Sequence, residues 1–509
     1  MAQVPVRVNL AAMAFPFLSE LSGRGIIVKQ ADQNYVAQIT SKEDLDKDVG
    51  IPVLYYCHNI IATSQGYQSI SYLPLISAVA GVNDFADVIQ VIDGTTGQKA
   101  YLAYTISGNW YYSYDPYYNW VSCGALAAGK TVTLAYVNGT TYFYLANTGC
   151  YKFDFSTNSI AAVTLGGLTA ANILGIVAVQ GYMIAWSVNA IAWSSLLDPT
   201  DFVPSLVTGA GSGSVQGARG IIVTCVSHTT GFVVYTNQNA VAVPASGNSR
   251  YPFNFRELVN SGGLASADLV TWDANSGNHY TYTTSGLQLI SLTQTQTTFP
   301  EVTDFLAGSV FEDYDELTDT FTTQELTATL KKRLTLCSDR YLIISYGISS
   351  FTHAIVYDLA LKRWSKFKVP HVQCFEFSLL TAETVETPRR SIAFLQADGS
   401  VKVVKIDSRD TSAYGVILLG KYQYIRQRLT QLHTADIENI TPGGYFDCTD
   451  KYSLDGKNFA GTKVGYPLVS SNQYQKLAFD TVGINHSLMM RGAFNIVSLV
   501  INVSVHGRV

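Results

Sequence analysis

The chain has 509 residues, 47% of them hydrophobic and 14% charged, and its 38 acidic against 33 basic residues leave a net charge of −5. A chain this long and apolar buries a large core and holds two or more domains, which excludes a disordered protein; without a net basic field it also lacks the usual signature of strong, non-specific binding to nucleic acid or anionic membranes. Its 32 Tyr, 23 Phe and 40 Gly fit short strands joined by tight turns, so the expected class is all-β.

Residues 1–83 read as an extended β segment that docks on or completes another domain. Arg24 to Val28 and Tyr35 to Ile39 have strand character, and Ser41 to Asp48 opens with a capping-box pattern, Ser41-Lys-Glu-Asp44. The opening MAQVPVRVNLAAMAFPFLSE has one Arg and an apolar patch broken by Pro16, a poor signal peptide, and no run reaches the length of a membrane span. Seven widely spaced cysteines with no C-x-x-C pair signal neither a zinc site nor a disulfide framework. The expected product is a soluble protein with buried thiols, made in a reducing cytoplasm.

Residues 84–408 repeat one pattern of two short strands around a Gly or Asn turn. Its clearest copy is Arg340 to Lys368, RYLIISYGISSFTHAIVYDLALKRWSKFK; Tyr101 to Trp120, Tyr142 to Phe155, Tyr182 to Trp193, Phe232 to Val243, Tyr280 to Leu292 and Ile392 to Val404 are weaker ones. A recurrence of about 40 to 60 residues predicts a β-propeller, since each small sheet must stack on its neighbours to bury both faces. Six blades are favoured over seven, with one of the seven copies read as partial and closed by a distant strand. Trp120, Trp193 and Trp364 are expected in the blade cores.

Two stretches interrupt the repeats: the Gly-Ser loop from Thr208 to Gly217, and a longer insert, 299–332, placed where rim loops meet partners. Residues 409–509 change to longer strands at even spacing and are read as a separate β-sandwich-like domain. The alternation of Val497, Leu499, Ile501, Val503 and Val505 gives its last strand one buried face.

No motif in the chain carries catalysis. Gly209-Ala-Gly211-Ser-Gly213 lacks the Lys and the following helix of a phosphate loop, and the eight histidines show no metal-binding spacing. Glu312, Asp313, Asp315, Glu316 and Asp319 form the densest acidic cluster; without the EF-hand spacing it reads as a solvated face or an acidic interface. Ser453-Leu-Asp455-Gly456-Lys-Asn-Phe459 resembles the Asp-box hairpin of sialidase-type propellers, a structural turn. Basic runs occur at Lys331 to Arg333, Lys362 to Lys368, Arg389 to Arg390 and Lys421 to Arg428. In the last of these, Lys421, Arg426 and Arg428 read as a solvated strand edge or a docking patch for an acidic neighbour. No enzyme, cofactor or metal is expected.

Four pieces in order, AIAWSSLLDPTDFVPSLVTGAG, NAVAVPASGNSRYPFNFRELVNSGGL, LIISYGISSFTHAIVYDLALKRWSKF and GKYQYIRQRLTQLHTADIENI, resemble the tail nozzle or hub proteins of short-tailed double-stranded DNA bacteriophages. The resemblance implies a structural virion protein of the tail, made in the host cytoplasm. It would assemble as a homohexameric ring below the portal and adaptor, carry tail fibres or tailspikes, and let DNA pass without tight binding. The competing expectation is a carbohydrate-binding or carbohydrate-cleaving propeller, because the same fold hosts both.

Overall fold

Tight turns set the local structure. Asn138 and Gly139, at φ 50° and 77°, form a two-residue loop between Val132–Val137 and Thr140–Leu145, and Val137 pairs with Thr140 across it. Both residues take the left-handed region that this hairpin requires. Gln180 and Gly181 do the same between Val179 and Tyr182. In the computed structural model such turns join consecutive antiparallel strands into small sheets. The structure describes residues 4–8, 54–114, 117–248, 251–307, 310–315, 320–325, 330–379, 389–419, 428–454, 461–470 and 474–508.

Seven sheets form a ring. Blades I to V span 85–125, 132–163, 175–214, 222–257 and 270–297, and blade VI spans 331–371. The last repeat supplies only three strands, Gln373–Leu379, Arg389–Leu395 and Val401–Lys405; its fourth is β5 (Ser71–Ile76), which pairs with the third. The first strands of the blades line the axis in order, and Gln373–Leu379 returns to Phe85–Ile92 to close the circle. The propeller therefore has seven blades, correcting the preference for six. One copy is closed by a distant strand, as expected; it is the last, and with Ser71–Ile76 it makes a whole blade.

A second body is built from both ends of the described chain. One sheet contains β2 (Leu54–His58), Gly415–Leu419, Asn485–Gly492, Phe446–Ser453 and Gly461–Val464. The other contains β3 (Ile60–Ala62), β4 (Tyr67–Ser69), Phe494–Arg508, Arg428–Ile440, Tyr474–Gly483 and Tyr466–Ser470, with β1 (Val4–Val8) paired to Phe494–Arg508. Ile417, Leu432, Phe479, Met490, Phe494 and Ile501 fill the space between them, so this is a β-sandwich. Within Phe494–Arg508, Leu499, Ile501 and Val503 are buried but Val497 is half-buried, and Ile496 takes its place in the core. A register shift opposite Glu438 and Ile440 reverses which residues face inward.

The two bodies share a sheet. β3 pairs with blade VI through Ile60 and Lys366, so one sheet runs from the propeller axis at Lys331–Cys337 into the sandwich. Asp410 fastens the junction: its carboxylate accepts from Ser71 and Ser412 and meets Lys405 at 3.3 Å. Burial works to raise the pKa of this group, but those hydrogen bonds outweigh it and hold the carboxyl well below its ordinary value.

Candidate functional site

The axis is plugged by an ion triad. Arg333, on the innermost strand of blade VI, meets Asp87 of blade I at 2.6 Å and Asp268, just before blade V, at 3.5 Å. Burial pushes the Asp87 carboxyl up against the opposing pull of Arg333. Burial also works against the Arg333 cation, but the two carboxylates more than offset it and keep the guanidinium charged. The triad borders an axial cavity of about 710 Å³ lined by the first strands of all seven blades.

At one mouth of the axis lies a second cavity of about 760 Å³, bordered by Lys331, Lys332, Arg333, Tyr282, Ser349 and His371. Lys331 Nζ donates to the Ser349 carbonyl at 2.7 Å, and Lys332 Nζ sits 4.7 Å from the centre of the Tyr282 ring. Burial lowers the Lys332 ammonium from its ordinary value. Three cations border this cavity against one carboxylate, Asp268.

His371 presents the geometry of a nucleophile and base without its chemistry. Its Nδ1 faces the Val369 carbonyl at 2.8 Å and so carries the proton; Nε2 accepts from the Ser345 hydroxyl at 2.7 Å. Burial pushes the imidazole down to about 4, a poor base at neutral pH, and Ser345 is 1% exposed in mid-strand. His279 is similar: it donates from Nε2 to the Ser227 carbonyl and accepts at Nδ1 from Tyr235, each at 2.7 Å, and burial pushes it to about 4. His279 ties blade V to blade IV, and His371 links the last strand of blade VI to its second. Among the described residues no group of His, Cys, Asp or Glu could hold a metal ion, and no helix is long and apolar enough to cross a membrane. All seven cysteines are free; burial pushes Cys57, Cys123 and Cys150 up to about 12.

The residues singled out from the sequence fall in separate places. Trp364 is buried against Tyr357 and Phe299, Trp120 donates to the Gly399 carbonyl at 2.6 Å, and Trp193 donates to the Gly209 carbonyl at 2.9 Å. Trp364 sits in a core; the other two are half-buried latches between strand and loop. Glu312, Asp313 and Asp315 lie on Val310–Asp315, the first strand of a two-stranded hairpin within the insert, while Glu316 and Asp319 lie outside the described residues. Lys421 and Arg426 also lie outside them, and Arg428 begins Arg428–Ile440. Of the Asp-box stretch, residues 455–460 lie outside; the strands on either side pair as a hairpin. The stretches at Arg24 to Val28, Tyr35 to Ile39 and Ser41 to Asp48 lie outside as well.

Sequence reasoning did not reach the triad, because Arg333, Asp87 and Asp268 come from three blades. The only available signal was the basic run Lys331 to Arg333, which a solvated strand edge explains equally well. The loop 194–210 of blade III enters the sequence reading only within the first resembling piece; its exposure does not, and it holds Leu197, Leu206 and Val207 at 90%, 83% and 95% exposure. That loop is ordered from within: Ser195 N–H donates to the Asp201 carbonyl, Thr200 N–H to the Asp198 carboxylate, and Ser205 N–H to the Ala210 carbonyl.

No protein family and no curated protein matches this chain by sequence. Among solved structures, a chain of a mitotic checkpoint complex is 11% identical with a TM-score of 0.34, covering 66% of this chain and 93% of its own length. The WD40 β-propeller domain of Doa1 is 9% identical with a TM-score of 0.38, covering 66% and 98%. The seven-bladed assignment rests on the strand pairing above.

Proposed function

We propose that this protein is a structural, ring-forming subunit, a tail nozzle or hub protein of a short-tailed bacteriophage, whose copies surround a channel for DNA. The observation that carries the assembly part is the ordered loop 194–210. It holds Leu197, Leu206 and Val207 almost fully exposed on a loop fixed by its own hydrogen bonds, and large apolar side chains presented in this way suit a protein contact. The bacteriophage part rests on the sequence resemblance, whose first piece is this same loop.

The DNA path on this reading lies between copies. Arg333, Asp87 and Asp268 meet across the propeller axis and block it as a passage for a duplex. Excess acidic charge, multiplied around a ring, leaves DNA free to slide. The test is the mass of the full chain by light scattering at micromolar concentration. A ring is expected, weakened by replacing Leu197, Leu206 and Val207 with Ser. A monomer at every concentration would overturn the proposal, and sub-micromolar duplex binding at low salt would overturn its passive channel.

A further inference from the structure

The exposed loop of blade III carries charge as well as apolar side chains. One of its turns is closed by Gly209 N–H on the Ser205 carbonyl and Val207 N–H on the Ser205 hydroxyl, and it presents Leu206 and Val207 to solvent. Another, closed by Asp201 N–H on the Asp198 carbonyl, presents Leu197 and Asp198. The Thr200 hydroxyl and N–H hold the Asp198 carboxyl below its ordinary value, so it is ionised at neutral pH. Residues 194–210 contain two carboxylates, Asp198 and Asp201, and no cation. Among the described residues neither carboxylate has a cation partner.

The 760 Å³ cavity at the mouth of the propeller axis has the complementary character. Ile106, Leu269, Phe351 and Val372 give it apolar walls, and Ile106 is 61% exposed. Lys331 and Lys332 border it, and among the described residues neither ammonium has a carboxylate partner. Asp268, the one carboxylate at this cavity, already faces Arg333. Burial works against the Lys332 cation, and an incoming carboxylate would offset that cost. No residue of 194–210 lines the mouth. The loop is instead tied to the connection between blades II and III, where Gly166 N–H donates to the Thr200 carbonyl and Phe202 N–H to the Gly166 carbonyl. A copy therefore does not fill its own mouth.

We propose that the loop 194–210 of one copy docks at the Lys331 and Lys332 mouth of the next, its aliphatic side chains against the apolar walls and its carboxylates toward the two ammonium groups. The inference rests on the ring-forming reading above and names the two surfaces that meet. Because those surfaces differ, the contact is heterologous, and it closes into a ring when the rotation between copies permits. Opposite charges disfavour pairing of loop with loop or mouth with mouth.

The test uses two variants of the full chain. Lys331→Glu with Lys332→Glu spoils the mouth and keeps the loop; Leu206→Ser with Val207→Ser spoils the loop and keeps the mouth. Each alone should raise the concentration for half-assembly about tenfold or more. Mixed at a concentration where each alone is monomeric, they should form a pair and nothing larger, because only one sound contact is possible between them. With one variant isotopically labelled, carboxylate-to-amine cross-linking should join Asp198 or Asp201 of the mouth variant to Lys331 or Lys332 of the loop variant. Circular dichroism checks each fold, and Ser350→Cys capped with a bulky maleimide blocks the mouth without touching its lysines should charge reversal impair folding. Unchanged assembly with the mouth spoiled or blocked would overturn this inference while leaving the ring reading intact. Variants that fail alone and form no cross-linked pair when mixed would overturn the head-to-tail contact. A monomeric wild type would overturn both readings.

Discussion

The propeller and the sandwich solve the same problem, burying apolar sheet faces, with opposite chain economies. Blades I to VI are each made of consecutive strands, whereas the sandwich draws β2 to β4 from residues 54–69 and its other described strands, apart from β1, from 415–508. Local pairing closes short loops, and remote pairing must first close long ones. The propeller should thus form blade by blade, and the sandwich only once both ends of the chain have met. β5 and blade VI link the two regimes.

The largest effect that would sharpen this contrast comes from large core aromatics. Trp364→Ala should cost about 3 to 5 kcal/mol, as should Trp110→Ala in blade I. Because blade VI continues into the sandwich, Trp364→Ala should lower the unfolding midpoint of both bodies, and Trp110→Ala that of the propeller alone. Denaturant unfolding followed by domain-specific hydrogen exchange separates the two. Equal effects on both bodies from both variants would break the distinction.

The axial triad comes next. Arg333→Met leaves Asp87 buried without its cation and should cost about 3 kcal/mol, while Arg333→Met with Asp87→Leu should recover most of it. The sign with pH follows from Asp87, whose folded value already lies above its ordinary one. Its contribution is fully present below about pH 4 and is lost as pH rises through the folded value. Removing Arg333 raises that value further, so the single variant should weaken more steeply with rising pH than wild type. Thermal unfolding across the acidic to neutral range reads this directly.

Acid should act in the opposite direction through the two buried imidazoles, both in the propeller. His279 and His371 are held down at about 4 against an ordinary value of about 6.5, so their contribution is full above about pH 6.5 and lost as pH falls toward 4. Each amounts to about 3 kcal/mol by linkage. His279→Gln should flatten the loss between those limits in an unfolding titration. A smaller effect, about 2 kcal/mol, is expected for Asp410→Asn at the junction, where hydrogen bonds to a charged group are lost.

How much of this was legible follows the same divide. The seven repeats from Tyr101 to Val404 were readable because Gly and Asn turns and strand periodicity are local signals, and each repeat corresponds to one blade. Closure of one copy by a distant strand is expected from the sequence, but no local signal tells that the strand is Ser71–Ile76 or that it makes the last copy a full blade; that pairing is a tertiary fact. Trp193 and Trp120 were read as core aromatics, yet each uses its indole N–H to latch a loop carbonyl, a role that residue type alone cannot specify. The ion triad was hidden for the reason β5 was: its members meet only when the ring closes.

The closure by β5 carries the account, and amide hydrogen exchange of the full chain tests it most directly. The amides of Ser71–Ile76 that pair with Val401–Lys405 should be as protected as that strand and should open with it as one unit. Exchange of Ser71–Ile76 at the rate of an unpaired segment, with Val401–Lys405 still protected, would contradict a ring sealed by this strand.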